Sequence, residues 1–209
     1  MKRARAPEQK TARRSHILTV ATQCFLENPT RLPSVAQVAD ASGIAKGTVY
    51  LYFKTKEEIF LEVFIVQLQT LLSDLPQRPI AADIEFSSQL TERLLNTQKE
   101  QPVFLPLASR LHTILEQNLP VDSLKTFKRN LCQLLAESGK VIDSAYHYPA
   151  GFSERALLHS YAALIGLWQM LQWPEVLHPV RNRPEYAPLQ RDFDQELHHI
   201  LTLVWHHPA

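Results

Sequence analysis

Tyr50, Tyr52 and Phe53 lie within four residues of one another, and Lys46, Lys54 and Lys56 flank them. Ammonium groups and phenolic hydroxyls are hydrogen-bond donors, and gathered around small residues they suit a surface that meets phosphate oxygens. Just ahead, Ala45, Lys46, Gly47 and Thr48 combine small side chains with one charge and one hydroxyl. At the start of a helix, such residues let a polyanion approach unpaired backbone N–H groups. Each tyrosine taken alone also fits a partly buried packing role. The constellation as a whole points to nucleic acid, with Val49 and Phe53 apolar enough to face a core instead.

Other reactive residue types are less organised. His198, His199, His206 and His207 crowd the C-terminus, and Asp194 precedes His198 by four residues, a spacing that shares one helix face. That set could ligate zinc or nickel, but no closed shell accompanies it, so solvated histidines and no metal are expected. Ser153 and Ser160 lack a nucleophile elbow, and no glycine-rich phosphate loop occurs, so the chain reads as a non-enzyme without a cofactor. Cys24 and Cys132 each fall on an apolar helical face and are expected as small buried hydrophobes, not a disulfide.

The elements that must hold the tyrosine–lysine cluster follow from periodicity. Apolar residues recur at helical spacing almost throughout the 209 residues, and sustained alternation is absent, so the fold class is all-α. Ile17, Leu18, Ala21, Cys24 and Phe25 stripe a first helix, which Asn28 before Pro29 ends, because a residue preceding proline leaves the α region. Ser34 with Gln37 is a capping-box pattern that opens a short helix over 34–41. A turn at Gly43, with Ile44 facing inward, leads to a second short helix over 45–51, which together make a helix-turn-helix. Thr55 with Glu58 repeats the cap pattern and opens a longer helix carrying Ile59, Phe60, Val63, Phe64, Leu68, Leu71 and Leu72, ended by Pro76 and Pro79.

Beyond Pro79, further helices are marked by Ile84, Leu90, Leu94 and Leu95; by Phe104, Leu107, Leu111, Ile114 and Leu115; and by Leu124 to Leu135, continuing towards Tyr146. A helix over 153–173 is apolar around much of its circumference, and the last, over 189–206, presents Leu189, Phe193, Leu197, Ile200, Leu201, Val204 and Trp205. The four prolines of 174–188 mark a loop. No run is long and apolar enough for a membrane span, and the basic start lacks the apolar core of a secretory signal, so a cytoplasmic, nucleoid-associated location is expected. The net charge of +1 conceals an asymmetry: residues 1–60 hold ten Lys/Arg against five Asp/Glu, and the rest holds twelve against sixteen. A basic end on an acidic body suits a polyanionic partner.

The stretch "SVAQVADASGIAKGTVYLYFKTKEEIF" closely resembles the N-terminal domain of tetracycline-repressor-like (TetR) transcriptional regulators, the likeness covering roughly residues 10–65. It implies an N-terminal three-helix DNA-binding domain over 1–55 and an all-helical effector-binding and dimerisation domain over 56–209. It also implies base and groove contacts from Lys46, Gly47, Thr48 and Tyr50, with Ala45 and Leu51 as further candidates. Phosphate contacts would fall to Ser34, Tyr52 and Lys56, with Gln37 on the preceding helix. Lys2, Arg3, Arg5, Lys10, Arg13 and Arg14 resemble the flexible basic arm that some members use. The family often has a glycine and an aromatic after the first helix, where this chain has "ENPTRLPS".

The resemblance further implies dimerisation through the last two long helices, which their apolar stripes independently support, with Leu157, Tyr161, Leu164, Ile165, Trp168, Leu197, Leu201 and Val204 at the interface. Candidates for an effector pocket are Phe64, Leu68, Phe86, Leu90, Phe104, Leu107, His112, Phe127, Leu131 and Trp168, a set that favours a largely hydrophobic ligand. His112, on a mostly apolar face, reads as an interior histidine. The expected function is a homodimeric, ligand-responsive repressor of a pseudo-palindromic double-stranded operator. An effector-independent regulator or nucleoid-associated factor is the alternative.

Overall fold

Helix α1, Arg5–Glu27, stops where Asn28 precedes Pro29, and the turn that follows is a local side-chain device. The Asn28 carboxamide oxygen accepts from the Thr30 backbone N–H at 3.3 Å and from the Thr30 hydroxyl at 2.5 Å. An Asx turn therefore replaces the family's more usual glycine here. The structure, a computed structural model, describes residues 5–73, 75 and 86–206, with the side chains of 5–7 set aside. Lys2, Arg3, Pro76, Pro79, Ile84 and His207, which the sequence reading used, lie outside the described residues, as does the side chain of Arg5.

Within the described residues the chain is helical without a strand. After α1 come α2 (Val35–Ala41), α3 (Lys46–Tyr50), α4 (Lys56–Ser73), α5 (Phe86–Glu100), α6 (Phe104–Ala108), α7 (Val121–Tyr146), α8 (Phe152–Leu171) and α9 (Phe193–Trp205). They form two compact units: Met1–Leu68 with Gln101–Lys128, and Gln69–Glu100 with Arg129–Ala209.

In the first unit, α2 opens on the expected capping box. The Ser34 hydroxyl accepts from the Gln37 N–H at 3.2 Å, and the Gln37 side-chain oxygen accepts from the Ser34 N–H at 2.9 Å. Such a cap contributes about 1 kcal/mol. The helix closes with Gly43 at φ +63°, where the Gly43 N–H donates to the Asp40 carbonyl and the Ile44 N–H to Ala39, both at 3.1 Å. That pairing is a Schellman motif, and its left-handed residue favours glycine. The unit's core joins Ile17, Ala21 and Phe25 to Val38, Val49, Phe53, Ile59, Phe60 and Phe64, all buried. Phe25 meets Phe60 at 5.7 Å between ring centroids, and Phe64 stacks on Phe104 at 5.6 Å.

One stripe of the sequence breaks. Residues 104–115 are not a single helix: α6 ends at Ala108, a π-helical turn spans Leu111–Leu115, and a 3-10 turn spans Glu116–Asn118. The Arg110 carbonyl accepts from both Ile114 at 3.0 Å and Leu115 at 3.2 Å, which places an extra residue in that turn. The insertion shifts the helical phase, so Leu111 and Leu115 are buried while His112 and Ile114 turn to solvent.

In the second unit, Asp143 near the end of α7 binds the start of α8, accepting from the Gly151 N–H at 2.8 Å and the Ser153 N–H at 2.9 Å. A Cβ at Gly139 would lie 2.8 Å from the Glu154 backbone nitrogen, so the absence of a side chain lets α7 and α8 approach. Phe86, Tyr146, Tyr148, Phe152 and Trp205 form an aromatic cluster, and the Trp205 indole N–H donates to the Ser160 hydroxyl at 2.9 Å. Helix α9 begins at Phe193, later than the periodicity predicts. Asp192 caps it by accepting from the Gln195 N–H, and Leu189 belongs to a preceding 3-10 turn, Pro184–Leu189, that contains Pro188.

Candidate nucleic-acid interface

Helix α3 presents its polar and small residues outward. Ala45, Lys46, Gly47, Tyr50 and Leu51 are exposed, Thr48 and Tyr52 are half-buried, and Val49 and Phe53 are buried beneath them. Leu51 is 77% exposed, a large apolar side chain left in water at the end of the helix. The Lys46 ammonium lies 5.9 Å above the Tyr50 ring. A cleft of about 350 Å³ joins this helix to the start of α2, lined by Lys46, Tyr50, Lys54, Lys56 and Ser34 among others. Three lysines and a phenol thus face one open space without a carboxylate among its lining residues.

Ser34 and Gln37 lie at the edge of this region, but their side chains already bond each other in the capping box. Lys56 is half-exposed, with Glu57 no closer than 3.9 Å. An ion pair that long and that wet leaves the ammonium available.

The exit of α3 is held by two carboxylates one turn apart on α4. Glu58 accepts from the Lys54 N–H and from the Ser123 hydroxyl of α7, both at 2.5 Å, while the Glu58 N–H donates to Thr55 at 3.2 Å. Glu62 makes a two-pronged pair with Arg14, one arm at 2.6 Å, and Arg14 also donates to the Tyr52 carbonyl at 3.0 Å. The Arg14 guanidinium lies 4.3 Å over the Phe53 ring. These residues position the interface by holding its backbone at Tyr52 and Lys54. Sequence reasoning saw Glu58 only as a cap partner and missed Arg14, Glu62 and Ser123 in this role, since their partners are 48 and 65 residues away.

The basic arm is corrected in part. Lys10, Arg13 and Arg14 lie within α1, because that helix already begins at Arg5, and Arg14 is committed to Glu62.

The effector candidates divide between the two units. Phe64, Leu68, Phe104, Leu107 and Phe127 are buried in the first, Phe86 and Leu90 are buried in the second, and Leu131 and Trp168 are half-buried there. His112 is not interior: its side chain is 62% exposed and its Nδ1 lies 3.3 Å from Glu116, a consequence of the π turn.

Of the interface candidates, Leu157, Leu164, Leu197 and Leu201 are buried within one chain, where α8 packs on α9. Tyr161, Ile165, Trp168 and Val204 are half-buried. The large apolar residues of these helices that face solvent are Leu158, Met170 and Leu203. Cys132 is exposed, not buried, whereas Cys24 is half-buried, with burial and then nearby Glu27 pushing its thiol pKa up. His198, His199 and His206 are exposed, and no metal-holding group of three His/Cys/Asp/Glu occurs among the described residues. Nor, among those residues, is any helix long and apolar enough to cross a membrane.

A Schellman-turned helix-turn-helix in a chain with a second all-helical unit defines a class of bacterial regulators, and comparison with known proteins agrees. Residues 17–63 match the family described as bacterial regulatory proteins, tetR family, and residues 66–206 match the tetracyclin repressor-like C-terminal domain. The chain belongs to the tetR family.

Among its relatives is the fatty acid metabolism regulator protein of Bacillus subtilis, 37% identical over 57 residues, which are 27% of this chain and 29% of that one. The HTH-type transcriptional repressor KstR2 of Rhodococcus jostii is 34% identical over 93 residues, 44% of each chain. The matched stretch thus spans less than half the length of these relatives. The HTH-type transcriptional repressor BepR of Brucella suis is 23% identical over 174 residues, 79% of this chain and 82% of that one. Among solved structures, the fatty acid degradation regulator FadR of Bacillus halodurans shares the fold, with TM-score 0.55, 14% identity, and 92% and 94% of the two chains covered. The transcriptional regulator FadR of Bacillus subtilis, in complex with stearoyl-CoA, gives TM-score 0.52 at 14% identity over 91% and 97%.

Proposed function

We infer that this protein is a homodimeric transcriptional repressor that binds a pseudo-palindromic operator and leaves it when a small, largely hydrophobic effector binds. The observation that carries the reading is the lysine-lined cleft beside an exposed α3, with Tyr50 and Leu51 projecting from the same short helix. Residues 1–55 would do the DNA binding, and 56–209 the effector binding and dimerisation. Lys46, Gly47, Thr48, Tyr50, Ala45 and Leu51 would enter the major groove. Lys56 and Tyr52 would hold phosphates, with Ser34 and Gln37 near the backbone. Two such units related by a two-fold axis read half-sites about one helical turn apart.

The dimer reading draws on the solvent-facing apolar residues of α8 and α9, Leu158, Met170 and Leu203, flanked by half-buried Tyr161, Ile165 and Val204. The effector reading draws on the phenylalanine- and leucine-rich interior and on relatives named for fatty acid metabolism. A ligand acts only through its different affinity for the operator-competent and operator-incompetent forms.

The test is a gel shift on the DNA upstream of the protein's own coding sequence, repeated with a panel of long-chain acyl-CoA thioesters and other apolar ligands. Binding that a ligand reverses supports the whole reading. Binding that no ligand alters leaves a regulator without an effector, and no binding to any duplex overturns the DNA assignment.

A further inference from the structure

The face of α4 that carries Phe60 and Phe64 also carries Gln67, one helical turn further on. Both phenylalanines are buried, and the Gln67 side-chain oxygen is buried with them. Among the described residues nothing donates a hydrogen bond to that oxygen. The same unit repeats the arrangement at Gln101, whose side-chain oxygen is also buried and accepts no bond among those residues.

Two stacked rings link the amides. Phe64, one turn before Gln67, stacks on Phe104 at 5.6 Å with the ring planes 5° apart. The Phe104 backbone N–H donates to the Gln101 carbonyl at 2.9 Å, which closes a turn between those two residues. Each unpartnered oxygen thus belongs to a residue within one turn of a ring of the same pair. The residues beside these rings in sequence, Val63, Val103 and Leu105, are buried and apolar, and their side chains offer no donor. Earlier on α4, the carboxylates of Glu58 and Glu62 are committed to Lys54, Ser123 and Arg14.

A buried acceptor left without a donor is destabilising, and methionine would fill the same space without that penalty. Two of them beside one aromatic stack suit donors that a ligand brings. One hydroxyl supplies one proton, so two acceptors call for two hydroxyls. An ammonium suits the place less well, because neutral amide oxygens do not offset the burial of a full charge. We propose that Gln67 and Gln101 bind a neutral, apolar effector carrying two hydroxyl groups. Each O–H donates to one amide oxygen, and the hydrocarbon lies against Phe64 and Phe104. The assignment rests on the effector reading above and deepens it, giving the hydrophobic ligand a polar end of stated chemistry.

The probes are a vicinal dodecanediol, dodecanol, the dimethyl ether of the diol, dodecylamine and lauroyl-CoA. Each is titrated against the full chain without DNA, following displacement of the fluorescent dye Nile red. In the wild type the diol should bind about fivefold more tightly than dodecanol, and dodecanol about fivefold more tightly than the ether, one step per hydrogen bond. Gln67→Met or Gln101→Met should erase one step for the diol and leave the affinity for the ether unchanged. Either variant should melt no lower than the wild type, since it removes a buried acceptor that lacks a donor. The wild-type series needs no variant, so it decides even if one substitution unfolds the chain.

An ether that binds the wild type as tightly as the diol overturns the two-hydroxyl assignment and leaves the effector reading intact. A preference for the diol that survives in both methionine variants overturns it too, because the hydroxyls would then meet other atoms. Tighter binding of dodecylamine than of the diol replaces the neutral donor with a cation, and displacement by lauroyl-CoA alone excludes the diol. Either result sinks the proposal. If no probe displaces the dye, the effector reading falls and this assignment falls with it.

Discussion

Lys56 and Leu51 illustrate how differently two neighbouring side chains would act on DNA. Lys56 is a half-exposed ammonium in the lysine cleft, and a phosphate contact carries no sequence information. Lys56→Ala is expected to weaken binding by the same factor on operator and random duplex, with the salt slope reduced by about 0.9. Leu51 is mostly in water, so Leu51→Ala should leave thermal stability within about 0.5 kcal/mol of wild type. If Leu51 meets a thymine methyl in the groove, the same change lowers operator affinity and spares random DNA. Equal losses on both duplexes would remove Leu51 from base readout.

At this scale the sequence was legible wherever chemistry is local. The Ser34–Gln37 box and the Asn28–Pro29 stop could be read because their partners sit within three residues. Arg14 with Glu62, and Glu58 with Ser123, could not, because only the tertiary fold brings those pairs together. His112 was misplaced for a related reason. One extra residue in the turn at 111–115 rotates the face that a regular 3.6-residue period assigns to it.

Among the elements, α4 bears most directly on a switch, since its first two turns hold the exit of α3 through Glu58 and Glu62. Ser123, in the first turn of α7, bonds the same Glu58 that accepts from the Lys54 N–H. A probe of coupling should disturb that link without emptying the core. Leu68→Ala is poorly suited, because Leu68 is buried and such truncations cost about 2–5 kcal/mol. Ser123→Ala removes one partly buried hydroxyl, for about 1 kcal/mol of stability, and touches no proposed DNA contact. It is expected to retain ligand-free operator affinity while changing the factor by which an acyl-CoA found active in the gel shift lowers it. An unchanged factor would take Ser123 off the path.

For the whole molecule, the apolar character of α8 and α9 was plain from the sequence, but the allocation of their faces was not. Periodicity reports that a stripe is buried, not whether the partner is the same chain or another copy. The two alternatives now separate by residue. Leu203→Glu places a charge on an exposed apolar position and is expected to give a folded monomer in sedimentation analysis with a native circular dichroism spectrum. Leu201→Glu places the charge in the chain's own interior and is expected to lower helicity or yield insoluble protein. A stable dimer from Leu203→Glu would exclude the exposed α9 face from the interface.

Gly139 adds a mechanical consequence. Gly139 stands where α7 meets the first turn of α8, within the second unit. A helix moves lengthwise or turns as a piece, because bending it would break backbone hydrogen bonds. At Gly139 backbone presses almost directly on backbone, so the crossing has little slack to absorb a sliding of α8. Gly139→Ala would act as a shim at this crossing, one methyl thick, prising the two helices apart where they lie closest.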